Sequence, residues 1–278
     1  MAYKFAPAWK VNAGLHYFQL FLNNSKSFEP RASVTFEPND RNTLSLGYGL
    51  HSQLQPIGAY FTRQYSDAAN YSLPNKSLGL NKAHHLVLSY DYVINDHTHI
   101  KTEAYYQHLF NVAISTDKRD TYSILNQYQG ITTIPLQNSG LGRNYGLELT
   151  LERFLHRNFY YMISASVYDS KYQAANAKWY NTRFNTNHAL TITAGKEWNL
   201  TKNGKNRVLG VNIKSVYVGG FHYTPIDLDA SVKAGTTVYD ESRNFDSQNP
   251  DYYRLDTRIS LKRNYKKSFR MKSPALSA

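Results

Sequence analysis

The sequence predicts an all-β chain, an antiparallel transmembrane β-barrel segment of about ten strands. Three observations predict it. Apolar residues recur at every second position along many short segments, turn residues bound each segment, and short and long connections alternate. Composition agrees: the 278 residues include 24 Tyr, 13 Phe and 3 Trp, with 3 Met and no Cys, an apolar set that suits pleated, half-buried surfaces. The mean hydropathy of -0.56 is that of a polar chain, which a barrel wall tolerates because only alternate residues face lipid. No run of about 18 apolar residues occurs, so a membrane-spanning helix is excluded and a bilayer-crossing form must be a barrel.

The elements follow in order. Val11, Ala13, Leu15 and Tyr17 open the pattern, then Ala32, Val34 and Phe36, then Leu44, Leu46, Tyr48 and Leu50. Leu86, Leu88, Tyr90, Tyr92 and Ile94 share one face, with His85, Ser89 and Asp91 on the other; Ile100, Thr102, Ala104 and Tyr106 answer them against Lys101, Glu103, Tyr105 and Gln107. The polar joint Asn95-Asp96-His97 makes this pair a hairpin. Tyr145, Leu147, Leu149 and Leu151 alternate with Glu148, Thr150 and Glu152; past the turn at His156-Arg157-Asn158 come Phe159, Tyr161, Ile163, Ala165 and Val167. Leu190, Ile192 and Ala194 pair with Leu209, Val211 and Ile213 across residues 201–206. The last strand carries Tyr253, Leu255, Thr257, Ile259 and Leu261 opposite Arg254, Asp256, Arg258, Ser260 and Lys262.

Tight joints near Pro38-Asn39-Asp40-Arg41, Asn95-Asp96, His156-Arg157-Asn158 and Lys202-Asn203-Gly204 alternate with long polar stretches near residues 53–82, 112–140, 170–185 and 219–250. One rim of turns and one of loops is the arrangement of an outer-membrane barrel, short on the periplasmic side and long on the extracellular side. Tyr17, Tyr92, Phe154, Phe159, Tyr217 and Tyr253 lie near segment ends, where they fit either interfacial girdles or ordinary strand-end packing.

Three stretches carry a family likeness: Ser27-Phe28-Glu29-Pro30-Arg31 leading into residues 46–53; Asn138-Ser139-Gly140 with residues 143–149, which include the step Gly146-Leu147-Glu148; and Asp251-Tyr252-Tyr253-Arg254-Leu255-Asp256. With these the chain resembles the C-terminal barrel portion of TonB-dependent outer-membrane receptors, particularly those of Bacteroidetes. The resemblance implies a 22-stranded barrel, an N-terminal plug and energy from the TonB complex, with import of a siderophore, vitamin or glycan. It implies that residues 1–262 are a partial receptor barrel, incomplete by plug and strands and not competent alone. Its partners are then outer-membrane lipid, the rest of the barrel and the plug, and TonB only through that plug. Residues 263–278 are expected to form a basic, irregular tail. They lack the alternation and the terminal aromatic of the family, in the manner of a truncation or shifted frame, and residues 1–7 show no export signal. Two other readings remain open, a soluble β-sandwich or surface-binding protein and a free-standing small outer-membrane barrel.

The formal charge of +12 is scattered, with one basic run at Lys262-Arg263-Asn264-Tyr265-Lys266-Lys267 beside a strand end, the pattern of a solvated turn rather than a nucleic-acid surface. His84-His85 and His97-Thr98-His99 invite a metal, but no carboxylate or Cys completes a ligand set at fixed spacing. Glu148 and Glu152 share a strand face about 13 Å apart, too far for paired acid-base catalysis, and no nucleophile elbow, P-loop or dinucleotide fingerprint is present. The expectation is therefore no enzyme, with no catalytic, cofactor or metal residues. Ligand contact is expected from the long loops, with Phe221-His222-Tyr223 and Tyr239-Asp240 as candidates whose alternative is a solvated loop.

Overall fold

A computed structural model describes residues 2–127, 129–200, 206–264 and 275–277. In chain order the strands are β1 (Ala2–Ala6), β2 (Trp9–Leu20), β3 (Ser25–Asn39), β4 (Asn42–Gln53), β5 (Gln64–Tyr65), β6 (Tyr71–Ser72), β7 (Asn81–Asn95), β8 (Thr98–Ser115) and β9 (Leu136–His156). They continue with β10 (Phe159–Gln173), β11 (Trp179–Asn181), β12 (His188–Asn199), β13 (Asn206–Val218), β14 (His222–Tyr223), β15 (Ser247–Gln248), β16 (Tyr252–Asn264) and β17 (Ala275–Ser277). Two short helices, α1 (Ile57–Tyr60) and α2 (Leu228–Ala234), sit in connections.

The main sheet is an antiparallel meander in the order β1-β2-β3-β4-β7-β8-β9-β10-β12-β13-β16-β17, with β11 added beside β10. Among the described residues no pairing joins β1 to β17, so the sheet is open. The ten expected strands are all present as β2, β3, β4, β7, β8, β9, β10, β12, β13 and β16, the shortest of them 12 residues long. Each exceeds the roughly 9–11 residues that a tilted spanning strand needs. Of the segment from residue 263, the described residues are Arg263 and Asn264, which end β16, and Ala275–Ser277, which pair with it. Residues 265–274 and the turn residues 201–205 lie outside the described residues.

Turn chemistry sets the tight rim. Arg157 and Asn158 have φ of 52° and 62° between the paired residues His156 and Phe159, the two successive left-handed residues that a two-residue hairpin uses to match strand twist. The opposite rim carries residues 54–80, 116–135, 174–187 and 219–251, and also one short connection, residues 21–24, between β2 and β3.

Alternation partitions the wall into two unlike faces. Leu46, Tyr48, Leu86, Leu88, Leu147, Leu149, Val167, Leu255 and Ile259 stay exposed, so the apolar face is not packed against a second sheet as a sandwich requires. Aromatic rings border it at both ends. Trp9 and Phe36 pair across β2 and β3 with ring centroids 4.5 Å apart, and Tyr17 and Phe28 do so 4.9 Å apart at the other end. Eight residues separate Trp9 from Tyr17, about 27 Å along the strand and roughly 20 Å across a membrane at the usual tilt, near the height of an outer-membrane apolar band. Tyr106, Tyr145, Tyr217 and Tyr253 belong to the upper row and Phe159 and Trp198 to the lower. Phe154, for which a girdle place and strand-end packing were both open, meets His99 edge to face beside the short turn.

The fully buried apolar cluster is at the long-loop rim, where Ala59, Tyr60 and Leu78 pack on Val112, Ala113, Ile114, Ile124 and Leu136. Buried amides tie the loops down. Asn75 donates from Nδ2 to the Ile134 carbonyl (3.0 Å) and accepts at Oδ1 from the Leu136 N–H (2.7 Å), while Gln55 Nε2 donates to the Gly79 carbonyl (3.1 Å).

Candidate functional site

The inner, polar face of the wall holds two open troughs. The first, of about 460 Å³, has Gly14, Gly47 and Gly49 along its floor and Arg31, His51 and His85 at its sides. The second, of about 410 Å³, lies between Glu103, Tyr105, Gln107, Asn144, Glu148 and Tyr168, with Phe184 reaching in from a loop.

Beside the first trough Glu29 is buried in a wall that otherwise exposes its charges. Its carboxylate accepts from the Ser52 N–H (3.0 Å), the Ser52 hydroxyl and an Arg31 guanidinium N–H (3.0 Å), and lies 2.9 Å from His16 Nδ1. Charge-assisted bonds of this kind are the strong ones, and here they lock β2, β3 and β4 together at the loop end. Across the second trough the Thr182 hydroxyl donates to Ser170 (2.9 Å), Ser170 to Asn144 Oδ1 (2.7 Å) and Asn144 Nδ2 to Gln107 Oε1 (2.9 Å). A rung of hydrogen-bonded polar side chains thus crosses β8, β9 and β10 where a soluble core would have apolar contacts.

Gly146 is required on this floor. A Cβ there would lie 2.7 Å from Tyr168 Cβ and 2.9 Å from the Tyr105 hydroxyl, so the absent side chain makes room for two tyrosines that lie over the backbone.

The outward side of the long-loop rim has different chemistry. The Arg143 guanidinium stacks over Trp179 at 4.6 Å, and Lys171, its cross-strand neighbour, pairs with Asp169 at 3.4 Å. Nearby, Asn244 Nδ2 donates to the Tyr172 hydroxyl (2.8 Å), fastening the connection between β13 and β16 onto β10.

The family model for the beta-barrel of TonB dependent receptor-like proteins matches residues 1–273. The chain belongs to that family. Its fold is similar to that of the ferric yersiniabactin uptake receptor FyuA of Yersinia pestis (TM-score 0.61, 11% identity, 99% of this chain and 42% of that one). It is also similar to the ferric-catecholate import receptor Fiu of E. coli K12 (0.59, 11%, 96% and 37%) and the FrpB iron transporter of Neisseria meningitidis (0.55, 11%, 95% and 37%). At these identities the likeness is one of fold. This chain spans about two fifths of the length of those structures. No curated protein sequence matches it. The family is one of receptors and transporters rather than enzymes, and among the described residues no helix is long and apolar enough to cross a membrane.

The residues singled out in the sequence are dispersed. His84 points outward, 2.9 Å through Nδ1 from the Tyr48 hydroxyl, while His85 meets His51 on the inner face with centroids 5.0 Å apart. His97 stacks on His156 at the short turn, and His99 Nε2 pairs with Glu152 at 3.3 Å. Among the described residues no three His, Cys, Asp or Glu side chains come together. Glu148 faces Glu103 across the strand pair, not Glu152.

In the last long loop the candidates separate. His222 is buried, with Nδ1 2.9 Å from the Phe245 carbonyl, and burial pushes its imidazole below the usual range. Asp240 caps a turn, accepting from the Ser242 N–H at 3.1 Å. Phe221, Tyr223 and Tyr239 remain exposed, and Phe221 meets Phe184 edge to face at 5.9 Å. Sequence reasoning missed the Glu29 cluster and the Arg143–Trp179 stack. The spacing of Glu29 and Arg31 places both on one strand face, but Ser52, the further partner of Glu29, comes from 23 residues away.

Proposed function

We propose that this chain is part of the barrel wall of an outer-membrane TonB-dependent receptor whose whole takes up a nutrient of the siderophore, vitamin or glycan class. The observation that carries the reading is the exposed apolar face bordered by aromatic rows, set against a polar, hydrogen-bonded inner face on ten antiparallel strands. The open edges at β1 and β17 fit completion by further barrel strands, and the two inner troughs fit a plug seated against the wall. TonB is engaged through that plug, and outer-membrane lipid surrounds the wall. Bacteroidetes origin rests on the three sequence stretches that begin at Ser27, Asn138 and Asp251. Ligand is met from the long-loop side, where Phe184 and Phe221 converge over the inner face, with no catalytic step.

The test is membrane fractionation of cells producing the chain within its receptor, followed by electrophoresis of heated and unheated samples. An outer-membrane species whose mobility shifts on heating is expected. A water-soluble monomer with no such shift would overturn the reading and favour a soluble β protein.

A further inference from the structure

The outward face changes character above its upper aromatic row. On β9 and β10 the pairs Leu147–Val167, Tyr145–Asp169 and Arg143–Lys171 succeed one another in unbroken register, so all three point to the same side. The first pair is apolar and exposed. The second contains the row tyrosine, whose hydroxyl, together with Asn185 Nδ2 (2.9 Å), binds the Asp169 carboxylate. The third is wholly cationic and stands about 7 Å farther along the strands than Tyr145.

Arg143 and Lys171 open into a cavity of about 440 Å³ whose walls also include Lys178 and Arg243. Four cations thus face one lining carboxylate, Asp246, which Arg243 engages at 3.3 Å. Arg143 Nε is buried without a hydrogen-bond partner, and Trp179 holds the guanidinium plane. Among the described residues no carboxylate pairs with Arg143 or Lys178. Lys171 and Arg243 are balanced by Asp169 and Asp246, while Arg143 and Lys178 keep their charge one residue pair above the aromatic row, the level where the headgroups of a bilayer begin.

We propose that the pocket binds a phosphate group carried by a lipid headgroup of the surrounding membrane leaflet. The guanidinium of Arg143 suits such an anion because its planar fork offers paired donors to phosphate oxygens, with Lys178 and Lys171 supplying point charges around it. The proposal rests on the outer-membrane reading of the chain.

Native mass spectrometry of the receptor containing the chain, in detergent, tests it, with diphosphorylated lipid A, dephosphorylated lipid A and inorganic phosphate as probes. Diphosphorylated lipid A should form adducts that the dephosphorylated lipid does not. The double variant Arg143→Gln/Lys178→Gln should bind it roughly tenfold or more weakly, the scale of a lost charged contact. Arg243→Gln, on the exposed loop, is the second variant and should weaken binding less. Equal adducts with both lipids, or undiminished binding by the double variant with its heat-shift intact, would overturn the pocket assignment. Displacement by an equal concentration of inorganic phosphate would overturn the lipid source. A wild-type receptor containing the chain that shows no heat-modifiable form would overturn the membrane reading itself, whereas a normal heat shift without adducts removes the pocket alone.

Discussion

The wall and the long-loop rim of this molecule are stabilised in opposite ways. In the wall, apolar side chains such as Leu88, Leu149 and Ile259 are exposed while Glu29 is buried; at the rim, Tyr60, Val112 and Ile114 are buried as in any soluble domain. On the proposed reading the wall is completed by its solvent, hydrocarbon replacing the second layer that a sheet in water must find. The rim completes itself. Long loops would be expensive to order without partners, and here a small apolar cluster and buried amides such as Asn75 and Gln55 supply them.

Substitutions should separate the two regimes. Tyr60→Ala removes a fully buried ring whose hydroxyl accepts from the Gln55 N–H at 3.2 Å; a cost of about 4 kcal/mol is expected, in detergent and bilayer alike. Protease nicking within residues 54–80 reads it, and unchanged resistance would argue that the rim lacks a true core. Leu149→Arg should cost roughly 3 kcal/mol when the chain is refolded into vesicles, because a cation near mid-membrane loses its water. An unaffected refolding midpoint would place that face in water instead.

Gly146→Ala is expected to cost about 2 kcal/mol by forcing Tyr105 and Tyr168 off the floor of the second trough. Urea titration of the folded protein measures it. A variant as stable as wild type would mean that neither tyrosine lies over the Gly146 backbone. The smallest effect concerns pH. Burial lowers the His222 pKa although Asp246 and Asp169 oppose it, so the unfolded loop binds the proton more readily. Its contribution is full above the ordinary imidazole value and is lost as pH falls through the folded one. Hydrogen-exchange protection of β14 and β15, taken relative to the intrinsic rate at each pH, should fall on acidification below about pH 6.5, and His222→Gln should flatten that dependence.

Much of the wall was readable because its code is local. Residues two apart share a face, so Leu86 to Ile94 and Tyr145 to Leu151 announce their strands without any knowledge of partners. Turn residues with left-handed backbone, such as Arg157-Asn158, announce the joints. The short strands β1, β11 and β17 were not legible, since three to five residues carry too little alternation to register. The site was less legible still. Glu29 is held by Ser52, Asn75 by Leu136 and Arg143 by Trp179, contacts that depend on sheet register and loop return rather than spacing. Phe154 shows the same limit, since its place near a strand end fits a girdle and its ring packs on His99.

The absence of cysteine makes the central claim directly measurable. Single cysteines placed in turn at residues 144, 145, 147, 148 and 149 of β9, leaving Gly146 in place because a Cβ there has no room, in the chain folded within vesicles, can be titrated with a membrane-impermeant thiol reagent. Reactivity should alternate, with Asn144 and Glu148 positions labelled and Tyr145, Leu147 and Leu149 positions protected by hydrocarbon. Uniform labelling, or alternation of the opposite phase, would contradict a wall whose apolar face meets lipid.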